Sequence, residues 1–256
     1  MPDTTAVVGI LRAAGCVFAE DEAALLISAA RDDAELDHMV EQRAAGLPIE
    51  HVVGFAEFCG LRILLDPDVF VPRRRTEYLV AEALALTRPG AVVVDLCCGS
   101  GALGVAVHAG QPDINLYAAD IEPAAVRCAR RNVEPIGGQV FEGDLYSALP
   151  ATLRGRIDLL LSNVPYVPSD EVRLLPAEAR LHEPLVTLDG GDDGLEVLRR
   201  VSTESSQWLA PGGSVLVETS EEQAPVAAAI FSADGLAPRI TTSEKLYATV
   251  VIGTKE

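Results

Sequence analysis

Val92-Val93-Val94-Asp95-Leu96-Cys97-Cys98-Gly99-Ser100-Gly101-Ala102-Leu103-Gly104 decides the fold. Three consecutive valines read as a strand buried on both faces, which is how strands of a parallel sheet look. The glycine turn that follows, and the Ala-Leu-Gly run beyond it, read as strand, tight turn and helix. Glycines in such a turn let a ligand approach backbone, and the exposed N–H groups of the helix start point outward. Taken alone, two glycines one residue apart are weak evidence, because an ordinary turn has the same composition.

Working outward, strand and helix signals alternate as a doubly wound sheet requires. Thr76–Leu86 reads as a helix and Ala91–Asp95 as a strand. Leu103–His108, Ile114–Asp120 and Pro123–Asn132 continue as helix, strand and helix. Val140–Gly143 and Asp158–Ser162 read as strands, Gly194–Leu209 as a helix, and Ser214–Glu218 as a strand. Glu222–Phe231 is helical in pattern, and Tyr247–Ile252 alternates as a final strand. Residues 164–193 hold no long periodic segment, and a loop of that length in a compact domain is usually functional. Trp208 lies at apolar helical spacing and reads as core.

Acidic residues fall at successive strand ends. Asp120 ends the strand after the glycine turn, where a carboxylate reads ribose hydroxyls. Asp144, followed by Leu145, comes after the next strand and is placed to accept from an adenine amino group. The turn lacks the Lys of a phosphate-binding loop, and Asp95 precedes it. A carboxylate there disfavours pyrophosphate and favours a cationic ligand such as S-adenosylmethionine.

The strand Leu159-Leu160-Leu161 delivers Asn163-Val164-Pro165-Tyr166 at what the pattern makes its carboxyl end. Ligands of open α/β sheets sit at that end. The Asn163 side-chain oxygen and the Val164 carbonyl are two acceptors beside an aromatic ring. They suit a planar –NH2 group, which needs both hydrogens accepted and its face covered. The bland alternative is an ordinary Asn/Pro turn.

The remaining chain reads as smaller units. Residues 1–51 carry helical patterns around Asp21–Arg31 and Leu36–Arg43, closed by Gly46-Leu47-Pro48. Residues 52–72 read as a β-hairpin linker, with Val52-Val53-Gly54-Phe55 and Leu61–Leu65 flanking Gly60. Residues 73–256 form the larger domain. The chain has 20 Lys and Arg against 38 Asp and Glu, a formal charge of −18. Such a body repels a phosphate backbone, so no direct nucleic-acid binding is expected. The one conspicuous basic run is Arg73-Arg74-Arg75. Five cysteines, Cys16, Cys59, Cys97, Cys98 and Cys128, show no metal-ligand spacing, and free thiols are expected. His38, His51, His108 and His182 form no constellation, and no metal is implied. No apolar stretch approaches the roughly 18 residues needed to span a bilayer. Met1-Pro2-Asp3-Thr4-Thr5 lacks a secretory signal pattern, and a cytoplasmic location is expected.

At this point the residues resemble the HemK/PrmC family of S-adenosylmethionine-dependent methyltransferases. The likeness covers nearly the whole chain. It is carried by Gly46–Gly54, Phe58–Leu61, Phe70-Val71-Pro72-Arg73 with Thr76-Glu77, Asp95–Gly101, Asn163–Tyr166, Glu183-Pro184 and Leu188–Leu195. The resemblance implies a Rossmann-like, seven-stranded class I methyltransferase sheet, mostly parallel with an antiparallel last strand, behind a small helical domain. It implies methylation of the side-chain nitrogen of the glutamine in the Gly-Gly-Gln loop of peptide-chain release factors. Asp95, Cys97, Cys98, Gly99, Ser100, Gly101 and Asp120 would hold the cofactor, with Asp144 and Leu145 near its adenine. Asn163, Val164, Pro165 and Tyr166 would hold the glutamine amide, with Asn163 also facing the cofactor. Three departures stand out. Position 164 is Val where the family has a second proline. Cys97 and Cys98 replace a glycine and a small polar residue. Arg74-Arg75 replaces a Pro-Glu pair. The rival readings are a nucleic-acid or small-molecule amino-group methyltransferase, and a cofactor-binding paralogue without catalysis.

Overall fold

The computed structural model describes residues 4–256. Residues 1–3, part of the start read above for a secretory signal, lie outside them. Four helices open the chain: α1 (Thr4–Ala13), α2 (Ala19–Ala29), α3 (Asp33–Ala44) and α4 (Ile49–Val53). Leu11, Ala19, Ala23, Leu26 and Leu36 bury together as their core. Asp32 caps α3 by accepting from the Glu35 N–H at 2.8 Å, satisfying one of the orphan donors of a helix start.

Val52 and Val53, read from sequence as the first arm of the hairpin, are instead the last turn of α4. Gly54 ends that helix in the left-handed region at φ 77°. The hairpin follows as β1 (Phe55–Phe58) and β2 (Leu61–Leu64), with Phe58 opposite Leu61. Cys59 and Gly60 turn it with φ of 51° and 73°, the positive pair that a two-residue turn between twisted strands needs.

The larger unit contains α5 (Glu77–Leu86), β3 (Ala91–Leu96), α6 (Ala102–Gly110), β4 (Ile114–Asp120), α7 (Pro123–Val133), β5 (Gln139–Glu142) and β6 (Ile157–Ser162). It continues through α8 (Ala177–His182), α9 (Glu196–Trp208), β7 (Leu209–Thr219), α10 (Ala224–Ala233), β8 (Leu236–Ser243) and β9 (Ala248–Lys255). The seven strands lie in the order β5-β4-β3-β6-β7-β9-β8. The first five are parallel, and β9 runs antiparallel between β7 and β8. This is the expected α/β sheet, with the antiparallel last strand included.

Alternation along the strands divides the core. Val93, Leu159 and Leu161 face α5, α6 and α7, while Val94, Leu96 and Leu160 face α9 and α10. Trp208 is buried in the second layer and stacks on Tyr146 at 5.5 Å between ring centroids, so it is core as read. The order of the strands reverses at β3, with β4 on one side and β6 on the other. A crevice opens at such a switch point outside the carboxyl ends of the strands.

Candidate active site

A cavity of about 400 Å³ occupies that crevice. Its floor is the turn after β3, its sides are the ends of β4 and β5 and the turn after β6, and its roof comes from residues 167–188. The strand ends are tied together: Ser162 donates its hydroxyl to the Leu96 carbonyl at 2.8 Å, joining β6 to β3.

The glycine turn does three separate jobs. Gly99, at φ 54°, has nothing within 4 Å of where a Cβ would stand, and it borders the cavity. It is the position that lets a ligand reach backbone. Gly101, read from sequence as doing the same, is turned away from the cavity. A Cβ there would meet the Val133 side chain at 2.7 Å, so its smallness serves the packing of α7. Gly104 is bare because Leu116 and the Asp95 carboxylate press against it, at 2.9 and 3.3 Å from a built Cβ. Cys97, Cys98 and Ser100 border the cavity. Burial pushes the Cys97 thiol up to about 12, which leaves it protonated and unreactive at neutral pH.

Asp95 corrects a second expectation. It is fully buried beneath the turn and is no wall of the cavity. One oxygen accepts from the Gly104 N–H at 2.9 Å and the other has no partner. Desolvation raises its pKa to about 8, which favours the neutral carboxyl at neutral pH. Its work is to bind the start of α6 to the end of β3.

Asp120 stands where the reading put it, at the end of β4 on the cavity wall. Its carboxylate accepts from the Gly99 N–H at 2.8 Å and the Glu122 N–H at 2.9 Å, and burial raises its pKa. The carboxylate keeps acceptor capacity on the cavity wall for a hydroxyl. Asp144 and Leu145 also border the cavity, but Asp144 is engaged by Arg200 of α9 at 2.6 Å, a pairing the sequence did not suggest. Leu145 adopts φ 48° and lays its buried side chain along the wall.

Asn163, Val164, Pro165 and Tyr166 all line the cavity. The Asn163 side-chain oxygen is buried and has no hydrogen-bond partner. No donor among the described residues reaches the Val164 carbonyl either. An unmet buried acceptor is expensive, on the order of 1–3 kcal/mol, and calls for a reason. Both residues line the cavity, so the two unmet acceptors are the groups a donor pair bound there would meet. The Tyr166 ring stands beside them, with its hydroxyl between Arg75 and Glu218 and its carbonyl accepting from Gln223 Nε2 at 2.9 Å.

Sequence reasoning placed the Arg74-Arg75 departure near the site mouth but missed Glu218, Gln223 and Arg200, and with them the partner of Arg75. Glu218 carried a usable signal, an acidic residue ending an apolar strand, the pattern that singled out Asp95 and Asp120. The basic run is no free cationic strip. Arg73 pairs with Glu183 at 2.6 Å and Arg75 with Glu218 at 2.9 Å, while Arg74 is exposed. Among the described residues no group of His, Cys, Asp and Glu is placed to hold a metal.

The methyltransferase small domain model matches residues 62–189. A release factor glutamine methyltransferase from Geobacter sulfurreducens is 36% identical over 217 residues, covering 84% of this chain and 75% of that protein. A 4-amino-L-phenylalanine/4-methylamino-L-phenylalanine methyltransferase from Streptomyces pristinaespiralis is also 36% identical, over 77% of this chain and 70% of its own length. Among solved structures, a methyltransferase from Pyrococcus furiosus shares the fold with a TM-score of 0.58 at 18% identity, over 77% of this chain and 89% of that one. Sheet, crevice and glycine turn thus define a class I methyltransferase, and S-adenosylmethionine is the methyl donor of this class. The chain belongs to the release factor glutamine methyltransferase family.

The residues fit that cofactor. Gly99 leaves backbone bare to it, Asp120 offers acceptors at the end of β4, and apolar Leu145 and Val197 give a flat wall for a base.

Proposed function

We infer that the protein transfers a methyl group from S-adenosylmethionine to the side-chain amide nitrogen of a protein glutamine, in the Gly-Gly-Gln loop of peptide-chain release factors. The observation that carries this reading is the pair of unmet acceptors, Asn163 Oδ1 and the Val164 carbonyl, on the wall of a cofactor-sized cavity. The bound cofactor supplies an electrophilic methyl group and a neutral leaving group.

The protein's own part is geometric and electrostatic. An amide nitrogen is a weak nucleophile because its lone pair is shared with the carbonyl. Accepting both of its hydrogens at Asn163 and Val164 holds the group edge-on and draws electron density onto nitrogen. Tyr166 covers the plane. Positioning and preorganised dipoles of this kind account for large rate effects without a strong base. Loss of one acceptor costs roughly 10²-fold or more in turnover. Asn163→Ala is therefore expected to lower kcat by that order while calorimetry still finds cofactor affinity within twofold or so of the parent. Equal loss of both would refute the division of roles.

The acceptor is tested directly. Purified protein, radiolabelled S-adenosylmethionine and a release factor should give a labelled band, and changing the glutamine of the Gly-Gly-Gln loop to alanine should abolish it. One specific observation keeps a second reading alive: a relative of equal identity carries a name for an arylamine amino-acid methyltransferase, and an arylamine is also a planar –NH2. 4-Amino-L-phenylalanine belongs in the same assay as a rival acceptor. A net charge of −18 speaks against nucleic-acid amines. No helix among the described residues is long and apolar enough to cross a membrane.

A further inference from the structure

Tyr166 is held by groups remote from it in sequence. Its hydroxyl accepts from Arg75 Nη2 and donates to Glu218 Oε1 at 3.2 Å, and Arg75 Nε donates to that same oxygen at 2.9 Å. The guanidinium carbon lies 5.7 Å from the centre of the Tyr166 ring. Glu218 is only 2% exposed at the end of β7, and its second oxygen is buried without a partner. A buried carboxylate with one cationic partner tolerates few other arrangements, because any loss of a donor leaves charge desolvated. A Tyr166 ring that swung away would strip Glu218 of one of its two donors. The main-chain end of Tyr166 is pinned as well, by Gln223.

Arg75 and Tyr166 border the cavity, and Glu218 stands behind them. None of the three bonds to the glycine turn or to Asp120. Resting on the amide-clamp reading above, we propose that Arg75 and Glu218 are positioning residues for the methyl acceptor: they lock the Tyr166 phenol, and so fix the wall against which the planar –NH2 group lies. The reach is through Tyr166 and not through the cofactor. In this chain a charged pair joins the end of β7 to the turn that opens α5 and so backs the acceptor wall.

A double-mutant cycle with two independent readouts tests this. Tyr166→Phe keeps the ring and removes the hydroxyl, Arg75→Met keeps bulk and removes charge, and Arg75→Met with Glu218→Gln guards against unfolding by an unpaired buried carboxylate. Each is expected to raise the acceptor KM roughly 10-fold, the loss typical of one hydrogen bond to a charged group, with cofactor Kd within about twofold. In the Tyr166→Phe background, Arg75→Met should add less than about twofold, because both act on one contact. The second readout needs no acceptor. Among the five tyrosines, the ¹³C ring resonance assigned to Tyr166 by its loss in Tyr166→Phe should move in Arg75→Met. An unmoved resonance, full additivity in the cycle, or an equal loss of cofactor affinity overturns the proposal. A moved resonance, with parent protein that methylates neither a release factor nor 4-amino-L-phenylalanine, leaves the lock standing and removes the acceptor assigned above.

Discussion

At the scale of single residues, the glycine turn shows how one short motif mixes chemistry with packing. Asp95 is the sharpest case. Its folded pKa of about 8 stands above the ordinary 3.8, so the native protein holds a proton that the unfolded chain gives up. Stability that depends on that proton is complete below pH 3.8 and is lost as the pH rises towards 8. Asn at position 95 cannot titrate. The melting temperature of the parent relative to Asp95→Asn, measured without cofactor, is therefore expected to fall from about pH 5 and to level off above about pH 8. A flat difference over that range would show that Asp95 is ionised in the folded state. Cys97 offers a second test. It sits at φ 58°, a left-handed conformation that costs an L-residue about 1–2 kcal/mol and glycine nothing. Cys97→Gly should raise stability by under about 1 kcal/mol, once glycine's greater freedom in the unfolded chain is subtracted. A clear loss in chemical denaturation would mean that the thiol's packing outweighs the backbone strain.

At the scale of elements, the parallel part of the sheet was readable because each of its strands is a short apolar run closed by a turn, and α7 and α9 between them are clearly two-faced. The parts that escaped are those whose environment, not pattern, decides. β8 gave no signal, because it is an edge strand with only Leu236 buried and with Pro238 inside it. Val52-Val53 looks like strand by propensity but is drawn into α4 by its packing on the first helices. Gly194 marks the approach to α9, which starts only at Glu196, since its φ of 73° is not helical. In the candidate site, the placement of Asn163–Tyr166 and Asp120 on the cavity wall was legible from position, whereas Asp95 lies buried beneath the turn. Glu218, Arg200 and the pairing of Arg75 were not, because each acts through a partner far along the chain. The roof segment, residues 167–188, follows the same logic. It is pinned by Glu183, whose buried carboxylate accepts from the Val71 N–H at 3.2 Å and from Arg73 at 2.6 Å. Glu183→Ala strands both donors and should cost roughly 3 kcal/mol, a value at the low end for breaking a buried pair because Arg73 keeps some contact with water. Limited proteolysis should then cut within 170–182 faster than in the parent, and an unchanged cleavage rate would show that the roof is held by its apolar contacts.

At the scale of the whole molecule, a formal charge of −18 acts on both stability and partners. Opposing effects of salt have to be weighed. Added salt weakens exposed pairs such as Arg88–Asp158 and Arg200–Asp144, each worth about 0–1 kcal/mol. It also screens the repulsion among an excess of eighteen negative charges, which destabilises the compact state over the whole surface. The pairs are few and local, whereas the repulsion is summed over every acidic side chain within a Debye length, about 10 Å at 0.1 M salt. Repulsion should win. Raising sodium chloride from about 0.02 to 0.3 M is expected to raise the melting temperature by a few degrees, most of it below about 0.1 M where screening changes fastest. The same field sets what the protein can approach. With Arg73 and Arg75 both paired to carboxylates, a DNA or RNA duplex meets no open cationic run, and its Kd at physiological salt should be weaker than about 10⁻⁴ M, the loose end of non-specific binding. A melting temperature that falls with salt, or duplex retention with a steep salt slope, would place an uncompensated basic surface on this molecule and reopen the nucleic-acid reading.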